Sequence, residues 1–455
     1  LGKNLRDFLN EISSTYLEVN REVPLDYIGA LTGQADTSVL FTNIKAFPGW
    51  RVCDQLFKNR MLQGKVLGVD ADNVVPAISN ILKKGPVEPQ IVKDGPVKEI
   101  VLKGEEADLT TLPVPIQTNT DPGPYINGFN ILKDLDTGVY NSCYTRTLVK
   151  GPRKAVSSYV TSDSNRILKQ YKEKGELMPQ AICIGHHPAV ELAVNFSGKD
   201  DTFHEIELAG SILGEPIEMV QCETLDLMVP AESEIVIEGY IHPDRLEDDG
   251  PSPSPNLYFA PYLQKQPFFE VTCITMRKDP VYRNFQSTPY TDHQPLPRLF
   301  HEAIIYNRLK EMKVDVHDVF FPAWGGVLSL IIQMTPKVDG EVNDVLLNAM
   351  GSSWPNTKKV VVVDRDIDIY NSEDVYYALS TRTDPSNDVI IIPKGRGSAM
   401  DPTSHIVQED SPSIRTVGKW GIDATKPLGN QLISREFQRA WPKYWEEIEL
   451  KDFLS

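Results

Sequence analysis

A β-hairpin signature near the middle of the chain constrains the fold most. Two runs suited to strands, 129–133 and 139–149, flank Asp134-Leu135-Asp136-Thr137-Gly138. Acidic, threonine and glycine residues at such a junction favour a tight turn, so paired strands are expected on either side. Residues 234–241 and 271–276 alternate in the strand period. Helical or turn-forming stretches, 164–174 and 203–210, lie between them. The middle region is therefore expected to be a closed or split barrel with helical insertions.

Different patterns flank it. Leu5, Phe8, Leu9, Ile12 and Tyr16 recur at helical spacing, which predicts a helix near residues 4–16. Leu112-Pro113-Val114-Pro115 and Asp121-Pro122-Gly123-Pro124 read as an extended linker. That places an N-terminal α/β part at 1–110 and the barrel domain at 111–296. Residues 297–312 carry Leu299, Ala303, Ile304 and Leu309 along one helical side and predict a linking helix within 297–315. Beyond it, 316–455 reads as a C-terminal α/β domain. It should hold a buried strand at 359–364, a helix at 372–381 that Ser372 could cap, a strand at 389–392 and a polar tail helix at 434–454. The tail's Trp441 and Trp445 serve either a subunit contact or the helix's own core.

Charge narrows the function classes. A formal net charge of -17 repels phosphate backbones and anionic lipid, so no nucleic-acid or membrane partner is expected. An anionic substrate would need a local basic pocket. No apolar run approaches the roughly 18 residues of a membrane span, and the opening residues read as an amphipathic helix rather than a signal peptide. Five scattered cysteines without a C-x-x-C pair suggest buried reduced thiols in a cytoplasmic protein.

Several segments carry groups suited to chemistry. Asn141-Ser142-Cys143-Tyr144-Thr145-Arg146 follows the hairpin turn. Asn141 can offer an oxygen to a metal, and Arg146 can hold an anion bidentately. In a straight strand the two face opposite sides, so either the strand bends or the ligand straddles it. Glu205 lies at a predicted helix start, where a carboxylate suits a hard cation or simply the helix N-terminus. Asp248-Asp249-Gly250-Pro251-Ser252-Pro253-Ser254-Pro255 places acids beside a rigid turn, catalytic or merely solvated. Gly395-Arg396-Gly397-Ser398 resembles a phosphate loop without the Walker spacing. His186-His187 before Pro188 read as turn residues.

Six ordered segments together resemble the UbiD-like decarboxylases, a family that includes ferulate, protocatechuate and furandicarboxylate decarboxylases. They are 141–146, 205–215, 222–230, 249–251, 364–369 and 421–427. The resemblance implies a multidomain α+β and α/β fold. A central FMN-binding split β-barrel would be flanked by an N-terminal α/β part and a C-terminal α/β dimerisation domain, joined by a long helix.

It implies prenylated FMN as cofactor, its phosphate bridged to a divalent metal (Mn or Mg) with potassium nearby. Asn141 and Glu205 match two metal ligands of the family. Asn165 falls near the position of the third, a histidine in the family. Ser142, Cys143, Thr145 and Arg146 would join the cofactor contacts. Arg146 matches the catalytic arginine, and Asp249 stands where the family has the first glutamate. Ser254 replaces the second, the usual proton donor. A serine hydroxyl is far too weak an acid for that role, so His293 is the candidate donor. Pro297 and Arg298 align with a region that shapes substrate choice.

The implied reaction is reversible non-oxidative decarboxylation of an aromatic, heteroaromatic or α,β-unsaturated acid. Arg298 favours a polar heteroaromatic, a dicarboxylate or a thioester-bearing acid. The alternatives are a carboxylase subunit running the step in reverse and a scaffold homologue without chemistry. A flavin prenyltransferase as cofactor supplier and a homodimer or larger homo-oligomer are the implied partners.

Overall fold

The structure is a computed structural model that describes residues 3–159, 162–196, 204–253, 258–260, 264–285, 292, 295–351, 354–407, 414–428, 437, 439–443, 447–448 and 453. The chain divides into two compact units, Leu1–Asn307 with Ala323–Val327, and Arg308–Pro322 with Leu328–Ser455.

The first unit is built on six long-range-paired strands: β1 (Tyr125–Lys133), β2 (Tyr140–Gly151), β3 (Lys154–Ser157), β4 (Met178–Ile184), β5 (Ile235–Asp249) and β6 (Gln264–Met276). They run in the order β5-β4-β1-β2-β3-β6, and β6 pairs back onto β5, which closes the barrel. Every neighbour is antiparallel. The predicted hairpin is the β1–β2 pair. Ile182, Ile237, Phe269 and Val271 turn inward and fill the barrel, as a small barrel requires. Polar side chains inside are paired with each other: Thr147 with Ser157 at 2.8 Å, and the Gln180 amide donating to Ser157 at 3.3 Å. β5 bulges at Glu238/Gly239. A side chain on Gly239 would sit 2.1 Å from the Glu270 carbonyl, so only glycine fits there.

One detail of the ladder positions the site. β3 pairs with β2 from Thr147 onward, and the Ser158 amide just past β3 donates to the Arg146 carbonyl at 3.2 Å. The first half of β2 therefore has an open outer edge. Two helices begin near it, Ser162–Lys174 and Glu205–Leu213. The first is tied to the hairpin turn by Arg166 on Asp134 and by the Tyr171 hydroxyl on the Lys133 carbonyl at 3.1 Å.

The N-terminal part contributes helices Leu5–Glu11, Ile28–Gln34, Arg60–Leu67 and Val74–Lys84. Its sheet holds Leu17–Val19, Val39–Phe41 and Arg51–Asp54, and is completed by Val281–Arg283, a strand from beyond the barrel. Val281–Arg283 runs parallel to Arg51–Asp54. The linking helix, predicted at 297–312, spans Pro295–Glu311.

The second unit holds a sheet of Val316–Phe320, Ser329–Met334, Lys359–Val363, Arg415–Ala424 and Val389–Gly397, in that order, with His405–Ile406 beside Arg415–Ala424. Helices Glu341–Met350 and Ser372–Arg382 belong to it. Asn371, not Ser372, caps the second helix: its side chain accepts from the Glu373 amide at 2.9 Å. Gly395, Arg396 and Gly397 pair with Val417, Thr416 and Arg415, so their backbone lies in a ladder rather than an open phosphate loop. Most of the predicted tail helix, including Trp445, lies outside the described residues. Residues 439–442 are described and are not helical.

Candidate active site

Arg146 is on the outward face of β2. Its Nη2 donates to Asp249 Oδ2 at 2.9 Å, and Asp249 is 1% exposed at the end of β5. The Tyr125 hydroxyl donates to the other carboxylate oxygen at 2.6 Å and accepts from the Gly250 amide at 3.1 Å. The Arg146 guanidinium also lies 5.8 Å from the centre of the Tyr125 ring. Burial, with the hydrogen bond to Asp249, raises the phenol pKa, so it donates rather than ionises. Three strands thus fix one guanidinium against one buried carboxylate.

The β1–β2 register is unbroken from Tyr125↔Leu148 to Lys133↔Tyr140. The strand does not bulge between Asn141 and Arg146, so a ligand serving both would straddle its open edge. Asn141, Cys143 and Thr145 share the inward face; Ser142, Tyr144 and Arg146 share the outward one. Burial, reinforced by Glu205, pushes the Cys143 thiol up to about 12. The Thr145 hydroxyl is engaged by the Asn130 amide. Cys143 and Thr145 therefore meet an outward ligand only through their backbone.

Glu205 opens its helix and reaches the free edge of β2, accepting from the Ser142 amide at 3.2 Å. Burial raises its carboxyl pKa, hydrogen bonds from its own and the Ser142 amide oppose this, and the Asp163 charge adds to it. Glu205 and Ser142 line a mainly apolar cleft of about 260 Å³ with Tyr140, Ile131, Met219 and Met228. The Asn141 amide nitrogen is buried without a hydrogen-bond partner. A half-turn of that amide would offer oxygen instead. An orphaned amide and a buried carboxylate at one strand edge fit an anion bridged to a hard cation. Asn165 is exposed, while its neighbour Ser164 is buried. Among the described residues no three His, Cys, Asp or Glu side chains converge on a metal position, so a cation here would need amide or water oxygens.

Ser254 and His293 lie outside the described residues. Asp292, beside His293, is buried and accepts from the Leu56 and Phe57 amides at 2.6 and 2.8 Å and from Arg283 at 2.5 Å. Arg298 is 2% exposed, and burial lowers it to about 9 against the opposing charge of Glu302. Glu302 pairs with Arg60 at 2.7 Å. Pro297 is half-buried. Arg298 is therefore no surface salt-bridging residue.

Sequence reasoning missed a buried hub. Arg283 meets Glu191 at 2.9 Å, Asp54 at 3.3 Å and Asp292. Phe285 stacks on Tyr144 at 4.6 Å. An arginine inside a short apolar strand signals that partners exist, but nothing local names Asp54, 229 residues away. Tyr125 was hidden by its place at the end of the proline-rich linker.

Comparison with known proteins gives the family. Residues 90–289 match the 3-octaprenyl-4-hydroxybenzoate carboxy-lyase Rift-related domain, and residues 296–424 match the C-terminal domain of the same family. The anhydromevalonate phosphate decarboxylase of Methanosarcina mazei is 28% identical over 96% of this chain and 98% of its own length. That of Methanothermobacter thermautotrophicus is 32% identical over 73% of this chain and 76% of its own. The UbiD-class enzyme HmfF from Pelotomaculum thermopropionicum, solved in complex with FMN, superposes with a TM-score of 0.89 at 31% identity over 99% of this chain and 100% of its own. With a closed barrel, matching domains and relatives spanning nearly the whole length, the chain belongs to the UbiD family of carboxy-lyases.

Proposed function

We propose that this chain is a reversible non-oxidative decarboxylase of an aromatic, heteroaromatic or α,β-unsaturated carboxylic acid, working with prenylated FMN. The Arg146–Asp249 pair carries the reading. A guanidinium presents its N–H donors in a fixed fork. Asp249 and Tyr125 set the direction of that fork, which pre-organises it for a substrate carboxylate. When bound, prenylated FMN supplies the electron sink that loss of carbon dioxide from an unsaturated carbon requires. Asn141, Glu205 and the Ser142 amide would hold its phosphate and a bridging Mn or Mg ion, with Asn165, Cys143, Thr145 and potassium nearby. His293, as the imidazolium, would return the proton that Ser254 is too weak an acid to give and be left neutral.

Arg298, with Pro297, would bind a second anionic group on the substrate. The curated relatives are named for anhydromevalonate phosphate, which supports a phosphate as the second anionic group, a substituent outside the dicarboxylate, thioester and heteroaromatic options that the sequence suggested. Carboxylation in the reverse direction uses the same groups. A scaffold without chemistry is disfavoured by the retained Arg146–Asp249–Tyr125 geometry. A flavin prenyltransferase would supply the cofactor. A homo-oligomer is supported by a structure described as an evolved dimeric form of HmfF.

The test is mass spectrometry of the small molecule released after co-production with a flavin prenyltransferase, followed by carbon dioxide exchange with unsaturated and aromatic acids. Near-stoichiometric prenylated FMN with exchange supports the decarboxylase. Failure to take up the cofactor, even on reconstitution, would sink it.

A further inference from the structure

The hub around Arg283 continues into a chain of side-chain amides that ends in an unanswered acceptor. Asp54 Oδ1 accepts from the Gln55 amide at 2.7 Å and from Arg283 Nη1 at 3.3 Å. Asp54 Oδ2 accepts from Asn284 Nδ2 at 2.6 Å, and Asn284 Oδ1 accepts from Gln117 Nε2 at 2.6 Å. An ionised carboxylate can only accept. Asn284 must therefore turn its nitrogen to Asp54 and its oxygen to Gln117, and Gln117 must turn its nitrogen to Asn284. The Gln117 carbonyl oxygen is left pointing away, buried and without a partner. Four residues on, Asp121 Oδ1 is also buried without a partner, while Oδ2 accepts from the Thr118 amide at 3.0 Å. This loop borders the candidate site: Asp121 feels the charge of Arg146, and the chain runs on into Tyr125, which holds Asp249. Buried acceptors in native proteins are almost always answered.

We propose that Gln117 is a recognition residue that presents a hydrogen-bond acceptor to a ligand N–H or O–H, and that Asp54 sets this polarity through Asn284. The inference rests on the flavin-dependent reading above. The donor is either the imide N–H of a flavin or a hydroxyl on the substrate.

The chain has a second state. A proton on Asp54 Oδ2 would donate to Asn284, which would turn its nitrogen to Gln117, which would then show an NH2 group instead of an oxygen. Burial, partly offset by Arg283 and reinforced by Asp292, pushes Asp54 up to about 7. Lys58 and the flanking Cys53 and Tyr282 also feel its charge. The Asp54→Asn variant should lock the second state. Its oxygen stays with Gln55 and Arg283, so its nitrogen must face Asn284.

The experiment measures FMN and N3-methyl-FMN binding to the full chain by flavin fluorescence, with circular dichroism to confirm folding. Wild type at pH 8 should prefer FMN by about tenfold, the worth of one hydrogen bond. Gln117→Leu, which changes a half-buried loop residue, should abolish the preference. Asp54→Asn should abolish it at every pH, and wild type should lose it below pH 6. If the two flavins bind alike, the same variants are tested on the flavin-loaded chain with 4-hydroxybenzoate against benzoate. A preference for the hydroxylated acid that vanishes in Gln117→Leu assigns the donor to the substrate. Equal binding in both pairs, or a preference that survives Gln117→Leu, overturns the inference. No binding of either flavin overturns the cofactor reading and the inference with it.

Discussion

Tyr125 donates its hydroxyl to Asp249 at 2.6 Å, and the same carboxylate receives Arg146 on its other oxygen. A phenol from the start of β1 thus aims an arginine on β2 through an acid at the end of β5. Tyr125→Phe removes one charge-assisted hydrogen bond and leaves the ring. On the proposed reaction, kcat/KM should fall about tenfold with flavin binding unchanged. Steady-state kinetics beside a flavin titration checks this, and an unaltered kcat/KM would show that the phenol has no aiming role.

Arg146→Lys keeps the charge but loses the planar fork. A lysine cannot satisfy Asp249 and a substrate carboxylate in the same directions. The expected loss in kcat/KM is about a hundredfold, with retained folding by circular dichroism. Activity within twofold of wild type would remove Arg146 from the substrate's carboxylate.

Arg298 is buried, and deleting its side chain risks a cavity. Arg298→Met preserves most of the volume. KM for a substrate with a second anionic group should rise at least about tenfold, and KM for a matched monoanionic acid should hold. Equal effects on both would mean that Arg298 supports packing and not recognition.

Burial holds His186, at about 3, His187, at about 4, and His301, at about 4, neutral. Each binds a proton more readily in the unfolded chain, near the ordinary value of about 6.5. Their effect on stability is absent above that value. Stability is lost as pH falls from about 6.5 toward their depressed folded values. Thermal melts should drop between pH 7 and pH 4.5, and His186→Gln should flatten the drop. A variant curve parallel to wild type would assign the acid lability to other groups.

Much of the fold was legible because its signals are local. The hairpin turn at 134–138, the period-2 strand around 235–241 and the helical spacing before 311 each lie within a short window. Arg146, Asp249 and Glu205 were legible as candidate residues, by type and by their place in ordered segments. Tyr125, Arg283, Asp54 and Asn284 were not, because their meaning comes from partners across the fold. Asn284 shows the difference: its sequence neighbours say nothing about Asp54, 230 residues earlier, which decides which end of its amide faces Gln117. Ser372 marks a smaller failure, since Asn371 stands next to it and accepts the same kind of capping hydrogen bond.

The strand Val281–Arg283 completes a sheet begun at Leu17–Val19, and that placement has a consequence for synthesis. A ribosome adds about 5–20 residues each second. Arg51–Asp54 therefore emerges on the order of ten or more seconds before the strand that covers its edge. During that interval the nascent chain carries an uncovered strand edge and the unneutralised acid Asp54. Fragments that end before residue 281 should stay bound to chaperones or aggregate, and the N-terminal α/β part should reach its native state only after the barrel has been made.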